Sequence, residues 1–243
     1  MSATVVLAVG AEATPDPVPG IPAAAPGRPL AEAVREAASA HPGAAVVVVP
    51  MTFGRDPSLV ANCARTLRDV RGTLGSARVC LAAPFGDAGQ LVAYLRAAVR
   101  RDAPAGAPGE GAHDAVLVTA PSIDPFADAE LFRVARLVRQ YGRPSLVEVA
   151  FAGGAEPDPD LAGGLERCRR LGAERPLVIQ AVVGAPLLSG PAVRAVVDRR
   201  VHQATHQLGH GDDGVDAALG AEDGHGYAHS HVAADGSVYT HAH

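Results

Sequence analysis

The chain has 243 residues, of which 48% are hydrophobic, and it carries a formal net charge of −5. That length and apolar content suffice for one large or two small domains with a buried core. The negative balance argues against a nucleic-acid-binding protein, which would usually present a basic face. No apolar run is long enough for a membrane span or a signal peptide, so we expect a soluble, cytoplasmic protein without a membrane partner.

Six short apolar runs follow one another along the chain and predict β-strands. They are rich in Val, continuous rather than alternating, and bounded by Gly or Pro, which is typical of strands buried on both faces of a parallel sheet. The predicted strands are Thr4–Val9, Ala44–Pro50, Arg78–Ala83, Ala115–Thr119, Leu146–Phe151 and Leu177–Val183.

Amphipathic stretches separate these runs and predict helices, several of which have a proline in the first turn, where a missing N–H costs nothing. The predicted helices are Pro29–Ala40, Pro57–Val70, Ala88–Arg101, Ala127–Tyr141, Pro159–Leu171 and Pro191–Arg200. Alternation of strand and helix predicts an α/β fold with doubly wound parallel sheets.

Two Pro/Gly/Ala-rich segments without periodicity read as linkers, one at Ala11–Gly27 and one at Asp102–His113. The second divides the chain into similar halves, and the expected organisation is 1–101, a linker at 102–113, a second half at 114–219, and a disordered tail at 220–243. As part of that repeat, we expect Val201–Gly209 to be the counterpart of Val79–Gly86, which contains a predicted strand.

The second half resembles the sirohydrochlorin chelatases, small class II enzymes that insert cobalt or iron into a reduced tetrapyrrole. The resemblance is carried by Pro121-Ser122-Ile123-Asp124-Pro125 after the strand, Val147-Glu148-Val149-Ala150-Phe151 in the next strand, and Ala155-Glu156-Pro157 beyond it. It covers most of residues 1–219, strongly over 115–190. In the first half, an early helix and the Val-Glu strand of the family are replaced by the Pro/Ala loop.

The resemblance implies a tetrapyrrole substrate in the cleft between the halves, with Glu148 as the base that accepts pyrrole protons and Ser122 and Asp124 as substrate-binding residues. The alternative for Glu148 is a strand-end ion pair with an Arg, and the alternative for Ser122 and Asp124 is helix capping. The sequence departs from the family at the turns that carry its metal-binding histidines. The first-half turn reads Val9-Gly10-Ala11-Glu12, and Ala120 stands at the corresponding place in the second half.

Eight of the ten histidines lie in the last 42 residues, and imidazole is a preferred ligand of cobalt, nickel and zinc. We therefore predict metal ligands at His202, His206, His210, His225, His229, His231, His241 and His243. The first three recur at every fourth residue and could share one helix face, although Gly209, Gly211 and Gly214 disfavour a long helix through His210. Surface histidines at the start of a tail are an equally weighted alternative.

These patterns support three hypotheses. The first is a chelatase that inserts a divalent metal, Co²⁺ before Ni²⁺ or Fe²⁺, into sirohydrochlorin. The second is a non-enzymatic chelatase-fold protein that carries or stores cobalt or nickel, which the missing turn histidines favour. The third is an inactive partner of an active chelatase.

Overall fold

The computed structural model describes residues 2–74, 78–102, 115–142, 144–153, 157–173, 175–221, 229–232 and 238–241, with only the backbone in the last two ranges. The first half contains β1 (Ala3–Ala8), β2 (Ala23–Ala24), α1 (Arg28–Ala40), β3 (Ala45–Pro50), α2 (Pro57–Arg71), β4 (Val79–Leu81) and α3 (Ala88–Asp102). The second contains β5 (Val116–Ala120), α4 (Pro125–Gln140), β6 (Val147–Phe151), α5 (Leu161–Arg170), β7 (Leu177–Gln180), α6 (Gly190–Gly209) and α7 (Val215–Leu219). The strands β8 (His229–Val232) and β9 (Val238–His241) follow.

The fold is α/β with two parallel sheets, as the strand–helix alternation predicts. The first sheet has the order β2-β1-β3-β4 and the second has the order β6-β5-β7. All six predicted strands are present within a few residues of their expected bounds. The runs at β3, β4 and β5 are buried along their whole length, which explains why they are apolar throughout, whereas Val178 of β7 is 45% exposed.

Three strands of the first sheet, β2-β1-β3, correspond to β6-β5-β7 of the second, and the first half lacks a helix that the second has. The short β2 occupies the edge position that β6 holds in the other sheet, and no helix precedes it where α4 precedes β6. The predicted loss of an early helix and of the Val-Glu strand from the first half agrees with this arrangement.

Two predictions are wrong. Val201–Gly209 is the last part of α6 rather than a strand, so β4 has no partner in the second sheet. The helical spacing continues through Val193, Val197, Ala204 and Leu208, all of which are buried, and the histidines between them obscured the pattern. The helix ends at Gly209 with His210 as its C-terminal cap, in agreement with the expected break.

The second wrong prediction concerns Ala11–Gly27, which is packed and not a linker. Its Val18 and Glu12 are buried, and β2 within it pairs with β1 in parallel. A small bridge also joins Ala13 to Val183 beyond β7, so the segment links the carboxyl ends of the two sheets. The sequence does not predict this structure, because the paired and buried residues of the segment do not recur at a regular spacing.

Helices from each half cover the sheet of the other half. The long α6 packs against the inner faces of β1, β3 and β4, while α3 packs against β7 and α4. Most buried apolar side chains of both halves therefore form one continuous core between the sheets. A second core lies under α1 and α2, with Val215 of α7 at its end, and a small third core lies under α5. The proposed domain limits stay a prediction, and residues 103–113 of the expected linker lie outside the described residues.

The absence of a side chain at Gly214, just before α7, lets the chain approach the first sheet closely. Gly214 has a φ of +71°, and a Cβ there would lie 2.3 Å from the carbonyl oxygen of Leu81. The preceding carbonyl of Asp213 accepts a hydrogen bond from the Leu81 N–H at 2.8 Å. Gly211, with a φ of +90°, has open space around it.

We expect Gly211→Ala to lower the free energy of unfolding by about 1–2 kcal/mol, the strain of a positive φ alone. Gly214→Ala should cost more, because its methyl group also overlaps a backbone atom that cannot move without disturbing β4. Urea denaturation of the two variants compares the losses. Equal losses would show that the close approach to Leu81 contributes nothing.

Candidate functional site

The carboxyl ends of strands from both sheets meet at one cleft, the position at which open parallel sheets usually bind ligands. Its volume is about 430 Å³. The loop after β3, the start of α3, and the loop after β5 with the first turn of α4 form its walls. The lining residues are Phe53, Gly54, Arg55, Pro57, Asp87, Ala88, Asp124, Phe126, Ala127 and Glu130.

A buried arginine joins the halves beneath this cleft. The Arg55 side chain is fully buried, yet it comes from the first half and binds the second. Its Nε donates to the carbonyl of Ala127 at 3.1 Å, and its Nη2 donates to Asp128 Oδ1 at 3.1 Å and to the carbonyl of Pro121 at 3.4 Å. Asp128 also accepts from Ser122 Oγ at 2.6 Å. The guanidinium therefore fixes the loop after β5 relative to the loop after β3.

Glu12 is the second buried ionisable group, and it lies in the segment after β1 where the sequence has no turn histidine. Its Oε2 accepts hydrogen bonds from the Thr52 hydroxyl and from the N–H groups of Phe53 and Arg55, the latter two at 3.2 and 3.1 Å. Its Oε1 faces Arg55 Nη1 at 3.9 Å, and both atoms are buried without a hydrogen-bond partner. These donors make Glu12 a structural anchor of the β3–α2 loop.

Burial raises the pKa of Glu12, and the Arg55 charge and the Thr52 hydroxyl lower it by less. An acid with a raised folded-state pKa binds more protons when folded, so its contribution to stability is fully present below the unfolded value and declines as pH rises. We expect the stability of the wild type relative to Glu12→Gln to fall as the pH rises from 4.5, the ordinary pKa of a glutamate, toward neutrality. Urea unfolding across that range measures this difference. Glu32→Gln, which removes an exposed ion pair with Arg28, serves as the control for loss of a surface carboxylate.

The predicted substrate residues Ser122 and Asp124 lie together, beside a second cavity of about 480 Å³ next to the cleft. Asp124 caps α4, with Oδ1 accepting from the N–H groups of Phe126 and Ala127 at 2.8 and 2.9 Å. Ser122 holds Asp128 as described. Both residues therefore have a structural task, and their contact with a substrate stays a prediction.

Glu148 lies away from the cleft. Within β6, Val149 and Phe151 face the core between the sheets, whereas Glu148 points to the opposite side with Ala150, toward α5. Its carboxylate forms an ion pair with Arg167 of α5 at 3.1 Å, and its side chain is 14% exposed. The geometry is that of the alternative interpretation, a strand glutamate paired with an arginine.

The predicted metal ligands fall into two groups. His202, His206 and His210 are exposed on the last turns of α6 and its cap, and the rings of His206 and His210 have centroids 4.7 Å apart. His229, His231 and His241 lie on β8 and β9, whose register pairs position 229 with 241 and position 231 with Tyr239. His225 and His243 lie outside the described residues. Among the residues whose side chains are described, no three His, Cys, Asp or Glu side chains form a group that could hold a metal ion.

The Glu12–Arg55–Asp128 network is not among the predictions from the sequence. A lone glutamate in an apolar, proline-rich segment shortly after a buried strand was the available signal, since a buried carboxylate needs a partner.

Burial raises the pKa of the Cys63 thiol to about 12 and that of the Cys80 thiol to about 11.

Comparison of the sequence with protein-family models and with curated proteins finds no match. Among solved structures, a multi-domain protein from Deinococcus radiodurans, described as structurally similar to chelatases and as having two additional novel domains, aligns with a TM-score of 0.39 and 17% sequence identity. The alignment covers 82% of this chain and 54% of that one, so this chain spans about half of that protein's length. Within the described residues, no helix is both long and apolar enough to cross a membrane.

Proposed function

We propose that this protein handles a divalent transition metal, Co²⁺ before Ni²⁺ or Fe²⁺, and inserts it into sirohydrochlorin. The observation that carries the proposal is the cleft at which the carboxyl ends of strands from two similar parallel sheets meet. This is the architecture that the sequence resemblance implies, with the tetrapyrrole held between the halves.

The charges around the cleft favour the metal as the first ligand. Asp87, Asp124 and Glu130 line it, while the Arg55 charge is balanced internally by Glu12 and Asp128. A negative opening with apolar walls raises the local concentration of divalent cations. A tetrapyrrole with carboxylate side chains would meet repulsion there until a cation is present.

Insertion replaces two pyrrole N–H protons with one divalent metal ion, so a base must accept those protons. Glu148 is the candidate from the sequence, and to act it would have to leave Arg167 and reach the cleft from the opposite face of β6. In a steady-state assay we expect Glu148→Gln to lower kcat for insertion at least tenfold if the residue is the base. Glu166→Gln, which removes exposed ion pairs on α5, is the matched control and should keep full activity. Full activity of Glu148→Gln would show that Glu148 is not the base and serves only as the ion-pair partner of Arg167.

The test of the enzyme hypothesis is the absorbance change that accompanies metal insertion. Purified protein is mixed with sirohydrochlorin and Co²⁺, and the rate is compared with the spontaneous reaction and with heat-denatured protein. We expect acceleration that saturates with tetrapyrrole concentration. A rate equal to the spontaneous one would exclude chelatase activity.

The β8–β9 pair favours a second candidate, a carrier or store of cobalt or nickel. In an antiparallel pair, opposite residues and residues two apart on one strand share a face, so the register places positions 229, 231 and 241 together. Truncation after Gly220 should then lower the number of Ni²⁺ ions bound per chain in calorimetry and leave the urea midpoint unchanged. Unchanged stoichiometry would remove the storage role from this segment.

A further inference from the structure

We infer that His206 and His210 form a two-ligand site for an imidazole-preferring divalent metal on the folded body of the protein. The two rings are in contact, with centroids 4.7 Å apart and ring planes at 56°. They occupy successive turns at the end of α6, at the i, i+4 spacing that brings side chains together on a helix.

The separation of the rings fits a shared metal. An ion about 2.1 Å from one nitrogen of each ring would lie about 3.2 Å from each ring centre. Two centres 4.7 Å apart then subtend about 95° at the ion. Both octahedral and tetrahedral centres accept an angle of this size between neighbouring ligands. The pair can therefore chelate without a change in the path of the helix.

The helix holds the pair in place and turns it outward. Ala204 and Leu208, each two residues before a histidine of the pair, are buried in the core between the sheets, whereas His206 and His210 are exposed. The His210 N–H donates to the carbonyl of Gln207 at 2.9 Å, which fixes the backbone at the helix cap. Only side-chain rotation is then needed to bind, so little conformational freedom is lost.

The charges around the end of the helix largely cancel. The negative end of the helix dipole lies in the last turn, where the two histidines stand. Arg78, which donates to the carbonyl of Leu208 at 2.8 Å, opposes this effect, while Asp212 and Asp213 lie just beyond the cap. Asp213 is itself paired with Arg71 at 3.0 Å. The local charges are thus nearly balanced, and the imidazole nitrogens decide the affinity.

Two protein ligands leave at least two coordination positions of the metal to water or to an acceptor. Such an ion is held less firmly than in a closed site of four protein ligands and can be passed on. Imidazole selects Co²⁺, Ni²⁺, Cu²⁺ and Zn²⁺ over Mg²⁺ and Ca²⁺. The role of the site as a transfer point rests on the proposed metal handling, but its existence can be tested without a tetrapyrrole.

The experiment uses the full-length chain with alanine at the five histidines of the C-terminal segment, His225, His229, His231, His241 and His243. Calorimetric titration with Ni²⁺ at pH 7.5 should show one ion bound per chain, and Mg²⁺ should show none. Adding His206→Ala or His210→Ala should lower the association constant at least tenfold. Adding His202→Ala, one turn earlier on the same exposed face, or His41→Ala, should leave it unchanged.

Absence of Ni²⁺ binding in the background chain, or an equal loss on His202→Ala and His206→Ala, would overturn the pair as the site. Because a fold defect could mimic a lost ligand, the thermal midpoint of each variant without metal is measured as well and should equal that of the background chain. His206→Gln provides a second variant that keeps the helix and removes the imidazole. Accelerated cobalt insertion without binding at this pair would refute this inference alone, and binding without acceleration would refute the enzyme hypothesis alone.

Discussion

Replacement of Arg55 by Met should lower the free energy of unfolding by about 3–5 kcal/mol, the usual cost of removing one partner from a buried ion pair. The side chain is fully buried between Glu12 and Asp128, so its loss leaves two carboxylates without a counter-charge. Methionine fills much of the same space, and the loss therefore reports charge rather than a cavity. Urea denaturation at pH 7 measures it.

A double variant separates charge from packing in this network. Arg55→Met combined with Glu12→Gln removes one of the stranded carboxylates, and it should recover part of the stability lost in Arg55→Met. Arg28→Met, which breaks an ion pair whose arginine is 89% exposed, should leave the urea midpoint unchanged. If the double variant were less stable than Arg55→Met, the glutamate would be held by its backbone donors and not by the arginine.

Replacement of Phe53 by Ala should cost about 3–5 kcal/mol and enlarge the cleft. Its ring is fully buried and makes an edge contact with Phe85 at 5.7 Å and a tilted contact with Tyr94 at 5.9 Å. Gly86 closes the space around the ring, since a Cβ there would lie 2.8 Å from Phe53 Cδ1. The surroundings are too well packed to collapse fully into the vacated volume.

Phe126 provides the matched control, because it lines the same cleft but is 63% exposed. Phe126→Ala removes the same number of atoms with little change in burial, and its effect on the urea midpoint should be much smaller. If both variants lost similar stability, the cleft wall around Phe53 would be as loosely packed as the opening. In that case the wall could not hold a ligand in one orientation.

The strands and most helices could be predicted because each depends on a local pattern. A continuous Val-rich run such as Ala45–Pro50 has few alternatives to a strand buried on both faces. The similarity of Val201–Gly209 to Val79–Gly86 predicts a strand, but the helical spacing of its apolar residues is the pattern that the structure follows. The segment 11–27 gave no periodic signal, since its structure is set by β1 and β7 and not by its own residues.

The candidate site was less accessible to prediction. The capping alternatives for Asp124 and the ion-pair alternative for Glu148 follow from local rules, and the structure has both contacts. The bond between Arg55 and Asp128 joins residues 73 positions apart, and neither one belongs to a motif. The i, i+4 spacing predicts that His206 and His210 share a helix face. Whether their rings meet depends on where α6 ends, which the sequence does not specify.

Because helices from each half cover the sheet of the other, folding during synthesis on the ribosome is constrained. The ribosome releases β1, β3 and β4 long before α6, whose residues 190–209 are needed to cover their inner face. An emerging first half therefore carries an uncovered apolar layer until residues 190–209 have left the exit tunnel, a state that favours aggregation and chaperone capture. The two halves look like repeats, yet neither can complete its fold before the other has been made.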